Sequence, residues 1–236
     1  MQLTRRTVTA TGLAAIASPV LGSAKRRVMF VGNSFTDEHD VPGLFRNLAV
    51  NFGYPVETEA IIENGAFLLD QIANGAFDRA IAYDPDILIL QDHSTAALTA
   101  ENRSKSGRAF LKFGNLLPRK ILFEPWPREQ GHKLYSQLEM PETPRQMVDH
   151  VTRHHQQMAS MINAQVAPVA RAWMLADGIT LHRDDGYHAN LAGAWLTALV
   201  LVRTAGLTSS AHPHIPDGLS ILTAKRLYQI ARMVAP

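Results

Sequence analysis

The sequence predicts an α/β fold: a three-layer α/β/α sandwich around a central, mostly parallel five-stranded sheet. Short apolar runs alternate along the chain with longer segments of helical periodicity, which is typical of a parallel sheet with helices on both faces. The run Asp86-Ile-Leu-Ile-Leu-Gln91 is apolar throughout its middle, as expected of a strand buried on both sides. With 236 residues, 46% of them hydrophobic, the chain suits one globular domain of ordinary size.

The predicted elements follow one another in a regular order. Strands are predicted at residues 26–31, 55–62, 86–91, 120–124 and 166–169. Helices are predicted at residues 42–52, 68–83 with an interruption at Gly75, 101–113, 145–163, 171–176, 189–207 and 218–234. Residues 125–144 contain Pro and Gly and are predicted to form a long surface loop that could flank a site.

Residues 1–24 are expected to be an export signal, which leaves residues 25–236 as the folded domain. Arg5-Arg6 precedes a mildly apolar run that ends at Gly22-Ser23-Ala24, small residues suited to a signal peptidase. The arginine pair resembles a twin-arginine signal, although an ordinary secretory signal or a short amphipathic helix remains open. The apolar run is too short for a permanent membrane span. We therefore expect a periplasmic or secreted protein.

Charge and cysteine content exclude several classes of function. Removing Arg5 and Arg6 from the 23 Lys and Arg leaves 21, which equals the 21 Asp and Glu. A chain without net charge offers no electrostatic case for nucleic-acid binding. The absence of cysteine excludes disulfides, thiolate nucleophiles and Cys-ligated zinc.

Polar residues follow three of the predicted strands, and a fourth polar loop lies near the end of the chain. Ser34, Gly65 and Gln91 each come just after a strand, where ligands collect in parallel sheets. The fourth segment, Asp185-Gly-Tyr-His188, holds an acid and a histidine three residues apart before an apolar helix. Taken alone, Ser34 and Asp185 could each simply cap a helix, because both residue types are common at that position. Together, they supply a nucleophile, a base and an orienting carboxylate.

Two motifs resemble those of the SGNH (GDSL-type) serine hydrolases. Phe30-Val-Gly-Asn-Ser-Phe-Thr36 is similar to the nucleophile block of that family, with Asn33 where many members have Asp. Asp185-Gly-Tyr-His188 is similar to the closing Asp-x-x-His block, and Gly65 falls where the glycine of the second block is expected. The resemblance extends over residues 28–203. It implies a triad of Ser34, His188 and Asp185 and requires no metal or organic cofactor.

The third block departs from the family pattern, which usually reads Gly-x-Asn-Asp. Here the strand ends in Leu90-Gln-Asp-His-Ser94, without asparagine, and looks like a Gln-bearing variant of carbohydrate-acting branches. The resemblance implies that Gln91 completes the oxyanion hole with the backbone N–H groups of Ser34 and Gly65, with His93 as the fallback donor. A purely structural part for Gln91 and Asp92 remains open.

The expected activity is hydrolysis of an O-acyl ester, such as an acetyl group on a small molecule or glycan. A lipase, thioesterase or acyltransferase with the same triad is an alternative, as is a non-catalytic periplasmic protein that binds a ligand or metal. His150, His154 and His155 are the residues that suggest a metal, but they lack a third partner of the usual kind, and we expect a solvated helix face. Trp126 and Trp173 are predicted to be core residues or pocket walls.

Overall fold

The computed structural model describes residues 25–235, with a five-stranded sheet at the centre. The strands are β1 (Arg26–Gly32), β2 (Val56–Ile62), β3 (Ile87–Leu90), β4 (Arg119–Phe123) and β5 (Gln165–Ala167). They lie in the order β2-β1-β3-β4-β5, and every neighbouring pair is parallel. The predicted fold class is therefore confirmed. The expected export signal lies outside the described residues and stays a prediction.

Helices cover both faces of the sheet. They are α1 (Ser34–Asp37), α2 (Val41–Asn51), α3 (Leu68–Ala73), α4 (Ala76–Tyr83), α5 (Ala100–Gly114), α6 (Pro144–Ile162), α7 (Val169–Leu175), α8 (Leu191–Thr204) and α9 (Ile221–Val234). The predicted interruption at Gly75 separates α3 from α4, because this residue has a φ of 87°. Within residues 25–235, none of the helices combines the length and the apolar character that crossing a membrane would require.

Alternation along the strands divides the core into two layers. Val28 and Phe30 of β1 pack with α2, α8 and α9 on one face, whereas Met29 and Val31 pack with α4, α5 and α6 on the other. Successive side chains of a strand point to opposite faces, so β1 contributes to both layers. Helix α8 is buried along nearly its whole length, which fixes the loop that precedes it.

The strand order determines which loops surround the end of β1. Because β1 lies between β2 and β3, the turn after Gly32 is flanked by the loops that follow Ile62 and Leu90. Gly32 is required here, since a Cβ atom would lie 2.9 Å from Oε1 of Gln91 and would overlap the Thr36 hydroxyl. The close approach of these three residues brings the predicted nucleophile to the centre of the carboxyl edge of the sheet.

Candidate active site

Ser34 is the first residue of α1, directly after the turn that ends β1. Asn33 caps this helix, because its Oδ1 accepts a hydrogen bond from the Phe35 N–H at 3.2 Å. The Asn33 Nδ2 group donates to the Ala66 carbonyl at 3.1 Å and so ties the turn to the loop after β2. Both polar atoms of the amide of this buried asparagine therefore hold the backbone that carries Ser34.

Gln91 lies beneath the same turn. Its Oε1 accepts hydrogen bonds from the Asn33 N–H at 2.9 Å and from the Thr36 hydroxyl at 3.0 Å, and its Nε2 donates to the Asp92 carbonyl. The side chain is 1% exposed. This geometry differs from the expected oxyanion donor, because the amide is directed into the fold. Gln91 positions the turn of Ser34, which is the structural alternative that the sequence left open.

A hydrogen-bond chain links the predicted nucleophile, base and acid. His188 Nε2 lies 3.1 Å from Ser34 Oγ, and His188 Nδ1 lies 2.8 Å from Asp185 Oδ2. An ionised carboxylate can only accept, so His188 Nδ1 carries a proton and Nε2 is left to accept from the Ser34 hydroxyl. The structure thus brings together all three residues in the arrangement that activates a serine.

The loop between Arg183 and Ala189 holds its own acid in place. Asp185 Oδ1 accepts from the N–H groups of Tyr187 at 2.8 Å and His188 at 2.9 Å, leaving Oδ2 for the imidazole. Partial burial raises the pKa of Asp185, but the hydrogen bonds from the His188 side chain and from these two N–H groups outweigh it and lower the pKa to about 2. Asp185 is therefore a carboxylate at neutral pH.

Two backbone N–H groups near Ser34 have no acceptor within the described chain. The N–H of Ser34 begins α1 and has no intrahelical partner, and the N–H of Gly65 makes no backbone or side-chain hydrogen bond in residues 25–235. Gly65 has a φ of 77°, and a Cβ built on it would meet open space. The positive φ explains the glycine, and its open surroundings leave the N–H region accessible.

His93 follows β3 on the other side of the Ser34 turn. Its ring stacks on Phe67 with centroids 4.5 Å apart, and its Nδ1 accepts from the Thr95 N–H at 3.2 Å. Burial, with a contribution from Arg128, lowers the pKa of His93 to about 4, so the ring is neutral and its proton lies on Nε2. No acceptor for this Nε2–H occurs in the described part of the chain. His93 therefore offers the side-chain donor that Gln91 does not.

The loop after β4 lies against the loop of residues 183–189, which we call the triad loop because it carries Asp185 and His188. Trp126 Nε1 donates to the Tyr187 carbonyl at 3.0 Å, and the Glu129 N–H donates to the Gly186 carbonyl at 2.9 Å. The predicted surface position is wrong for residues 125–128, which are buried. Trp126 also stacks on Phe35, with ring centroids 4.1 Å apart, so this loop supports both the nucleophile and the base.

Two concave regions adjoin the loop of residues 183–189, and neither Ser34 nor His188 is among their lining residues. One is a groove of about 650 Å³ that lies between residues 127–130 and residues 176–182, with Trp173 in its wall. The other, of about 820 Å³, includes Glu38, Arg183 and Asp185. Thr180 and His182 border both. Both volumes fall in the usual range for cavities that hold small ligands.

Two of the three histidines of α6 are buried and hydrogen-bonded within the fold. The predicted solvated face is wrong for His154 and His155, which are 4% and 1% exposed. His154 Nε2 bonds to the Ser106 hydroxyl at 2.9 Å, and His155 Nδ1 donates to the Val151 carbonyl at 2.8 Å. Among residues 25–235, no group of three or more His, Asp or Glu side chains is placed to hold a metal ion.

Arg128 is a buried charged residue near the site, and no pattern in the sequence indicates it. It lies in the Pro-containing loop after β4, where arginine is ordinarily a surface residue. Its proximity to the triad depends on the packing of Trp126 and Tyr187, and neither residue forms a recognisable motif with it.

Comparison with known proteins relates the chain to solved structures. No family model matches the sequence, and no curated protein sequence matches it. A DUF4886 family protein from Bacteroides uniformis is similar over 89% of this chain and 94% of its own, with 14% identity and a TM-score of 0.74. A protein from Slackia heliotrinireducens described as a candidate SGNH hydrolase is 25% identical over 77% of this chain and all of its own, with a TM-score of 0.61.

The acetyl xylan esterase Axe2 from Geobacillus stearothermophilus is a further structural neighbour. It is 18% identical over 81% of this chain and 99% of its own, with a TM-score of 0.61. Catalytic mutants of Axe2 replace one serine, one aspartate and one histidine by alanine, the last two being three positions apart. The predicted resemblance to SGNH hydrolases is thus confirmed at the level of the fold, which this chain shares with an esterase.

Proposed function

We propose that this protein is an esterase that hydrolyses O-acyl esters through Ser34, His188 and Asp185. The observation that carries the proposal is the unbroken hydrogen-bond chain from Ser34 Oγ through His188 to Asp185 Oδ2, with distances of 3.1 and 2.8 Å. Asp185 and His188 are three positions apart in the sequence, as are the aspartate and the histidine mutated in Axe2, and this agreement gives independent support.

The proposed reaction proceeds in two stages. Ser34 Oγ attacks the acyl carbon while its proton passes to His188 Nε2, and Asp185 stabilises the imidazolium that forms. His188 then gives this proton to the departing alkoxide, so that an alcohol leaves and the acyl group remains bonded to Ser34. Water attacks the acyl-enzyme with His188 as base, releasing a carboxylic acid and restoring Ser34.

The developing oxyanion needs donors that have no other partner. The N–H groups of Ser34 and Gly65 and the Nε2–H of His93 meet this requirement within the described residues. In a protease, the loss of one such donor costs about 3 kcal/mol of transition-state stabilisation. We therefore assign the third donor to His93 in preference to Gln91, whose amide is committed to the fold.

The proposed substrate is a short-chain ester, such as an acetylated carbohydrate. The groove of about 650 Å³ next to the loop of Asp185 and His188 supports a bulky alcohol part, and Axe2, which has the same fold, is an acetyl xylan esterase. A panel of acetylated sugars and p-nitrophenyl esters of rising chain length tests this point. Activity confined to long acyl chains would favour a lipase or thioesterase with the same triad.

A fluorophosphonate probe tests the nucleophile directly. The probe forms a covalent bond with an activated serine, so it should label the wild-type protein and fail to label Ser34→Ala. The matched control is Ser209→Ala, a change in the exposed connection after α8, which should leave labelling intact. A folded wild-type protein that takes up no probe would refute the esterase and favour a non-catalytic binding protein.

We further propose that residues 1–24 direct export through the twin-arginine route to the periplasm or exterior. The support is the Arg5-Arg6 pair before a weakly apolar run and small residues. Fractionation of cells expressing the full chain, with Arg5→Lys and Arg6→Lys combined as the variant, measures the route. Unchanged export of the double variant would contradict the twin-arginine proposal.

A further inference from the structure

Arg128 carries a buried positive charge that no acidic residue neutralises by contact. Its side chain is 6% exposed, and its Nη2 donates to the Ser94 hydroxyl at 2.7 Å. Its Nη1 is buried and has no hydrogen-bond partner, and no acidic side chain in residues 25–235 forms an ion pair with it. One edge of the guanidinium is thus left without an acceptor.

The guanidinium lies next to the residues that flank the nucleophile and the base. Its central carbon is 3.7 Å from the centre of the Tyr187 ring and 5.4 Å from that of the Phe35 ring. Phe35 follows Ser34 in the chain, and Tyr187 precedes His188, whose ring centroid is 3.9 Å from that of Tyr187. Arg128 is therefore separated from the reacting groups by about the width of one side chain.

Burial of an unpaired charge is costly, which calls for a compensating group. Removing an ion from water is costly even after the protein relaxes. Contacts with the faces of the Tyr187 and Phe35 rings offset part of this cost, but an aromatic face carries no net charge. Although burial lowers the pKa of Arg128 to about 10, the guanidinium stays protonated at neutral pH. A bound anion would supply the remaining compensation.

Arg128 also borders the groove that adjoins the triad loop. It is one of the residues that line this cavity of about 650 Å³, together with Trp173 and His182. The exposed Glu129 and Asp177 are acidic neighbours in the same groove, and neither pairs with the guanidinium. A substrate whose alcohol part occupies the groove would therefore lie next to the loop that carries Arg128.

We propose that Arg128 determines specificity by binding a carboxylate on the alcohol part of the ester, so that the preferred substrates are O-acylated acidic sugars such as uronic acids. Arginine suits this part, because its planar fork of donors matches the geometry of a carboxylate. The inference rests on the proposed esterase function and names the substrate class of the same site.

A matched pair of substrates tests the inference. Methyl glucuronide and methyl glucoside, each acetylated at the same hydroxyl, differ in the carboxylate that Arg128 is proposed to bind. The wild-type kcat/KM should be at least about tenfold higher for the acid, as one charge-assisted hydrogen bond provides. In Arg128→Gln this ratio should fall to about one, and in Arg128→Lys it should lie between. Arg46→Gln, on the exposed face of α2, is the control and should retain the wild-type ratio.

A binding measurement covers the case in which Arg128→Gln fails to fold. Calorimetric titration of Ser34→Ala with the two intact esters should give a tighter dissociation constant for the acidic one, weakened by added salt. Equal affinities or equal wild-type rates for the two esters would overturn the inference, as would an Arg128→Gln loss of equal size on both. If any of these results occurred while the fluorophosphonate probe still labelled Ser34, only the inference about Arg128 would be wrong. If the probe failed to label Ser34, the esterase function itself would be refuted.

Discussion

Polar residues occupy two regions of the carboxyl edge of the sheet, and the two differ in how their hydrogen bonds are used. In the first, the triad region of Ser34, Asp185 and His188, each side chain has a hydrogen-bond partner and the chain of bonds ends at a half-buried serine. In the second, the buried region of Asp92, Glu124 and Arg128, each side chain has a polar atom without a partner.

The difference teaches that a polar residue after a strand does not by itself indicate chemistry. In the triad region, the side chains are hydrogen-bonded to one another in a chain that ends at Ser34. In the buried region, each charged side chain keeps a polar atom without a partner, at a cost in stability. The following changes test whether the two regions differ in this way.

Replacing the base should have the largest effect. In His188→Ala, no group can accept the Ser34 proton, so we expect kcat/KM on p-nitrophenyl acetate to fall about 10⁴-fold or more, as when a triad histidine is removed from a protease. Circular dichroism should show an intact fold. His212→Ala, in the exposed connection before α9, should keep full activity. Retention of a tenth of the wild-type activity by His188→Ala would exclude the proposed base.

Replacing the acid should have the next largest effect. Asp185→Asn removes the charge and the acceptor for His188 Nδ1, and a loss of about 10³- to 10⁴-fold in kcat is expected from the wrong imidazole tautomer. The exposed Asp184→Asn is the matched control.

The pH dependence of Asp185 has a defined sign. Because its pKa in the folded protein, about 2, lies below the ordinary 3.8, ionised Asp185 favours the folded loop above pH 3.8. That contribution is lost only as the pH falls towards 2. An acid loss of activity centred above pH 4 that disappears in Asp185→Asn would contradict this assignment.

His93 and Gln91 separate an oxyanion donor from a structural amide. His93→Phe keeps the stacking on Phe67 but removes the Nε2–H, so kcat should fall about 10²-fold with a smaller change in KM. Gln91→Met should instead lower the free energy of unfolding by about 2 to 3 kcal/mol, because the Asn33 N–H and the Thr36 hydroxyl lose their acceptor. Urea unfolding and steady-state kinetics on both variants measure the contrast. The reverse pattern would restore Gln91 as the donor.

The fold and the proximity of Ser34, Asp185 and His188 could be predicted from sequence for a common reason. The strands are short apolar runs with polar residues at their ends, and parallel pairing brings those ends to one edge whatever the details of packing. The environments of Gln91, His154 and Arg128 could not be predicted, because they depend on which side of a helix or loop is covered by other parts of the fold. The Gln91 amide lies under its own turn, His154 is covered by Ser106 of α5, and the loop of Arg128 folds inward on Trp126. Such contacts leave no periodic signal in the sequence.

Glu124, at the end of β4, gives the smallest effect and the most direct test of the buried region. It is 1% exposed and its Oε2 has no partner, so burial raises its pKa from 4.5 to about 7. The folded protein therefore binds more protons than the unfolded chain between these values, and its stability falls as the pH rises through this range. The limit of this loss is on the order of 3 kcal/mol, at about 1.4 kcal/mol per pH unit.

Glu124→Gln removes the ionisable group with little change of shape, and its effect should depend on pH. Urea unfolding at pH 5 should give the variant and the wild type similar stability, whereas at pH 8 the variant should be more stable by about 2 kcal/mol. The exposed Glu101→Gln on α5 should show no such difference between the two pH values. If Glu124→Gln changed stability equally at both, Glu124 would be ionised throughout and compensated within the fold, and the buried region would then resemble the triad region in its balance of charge.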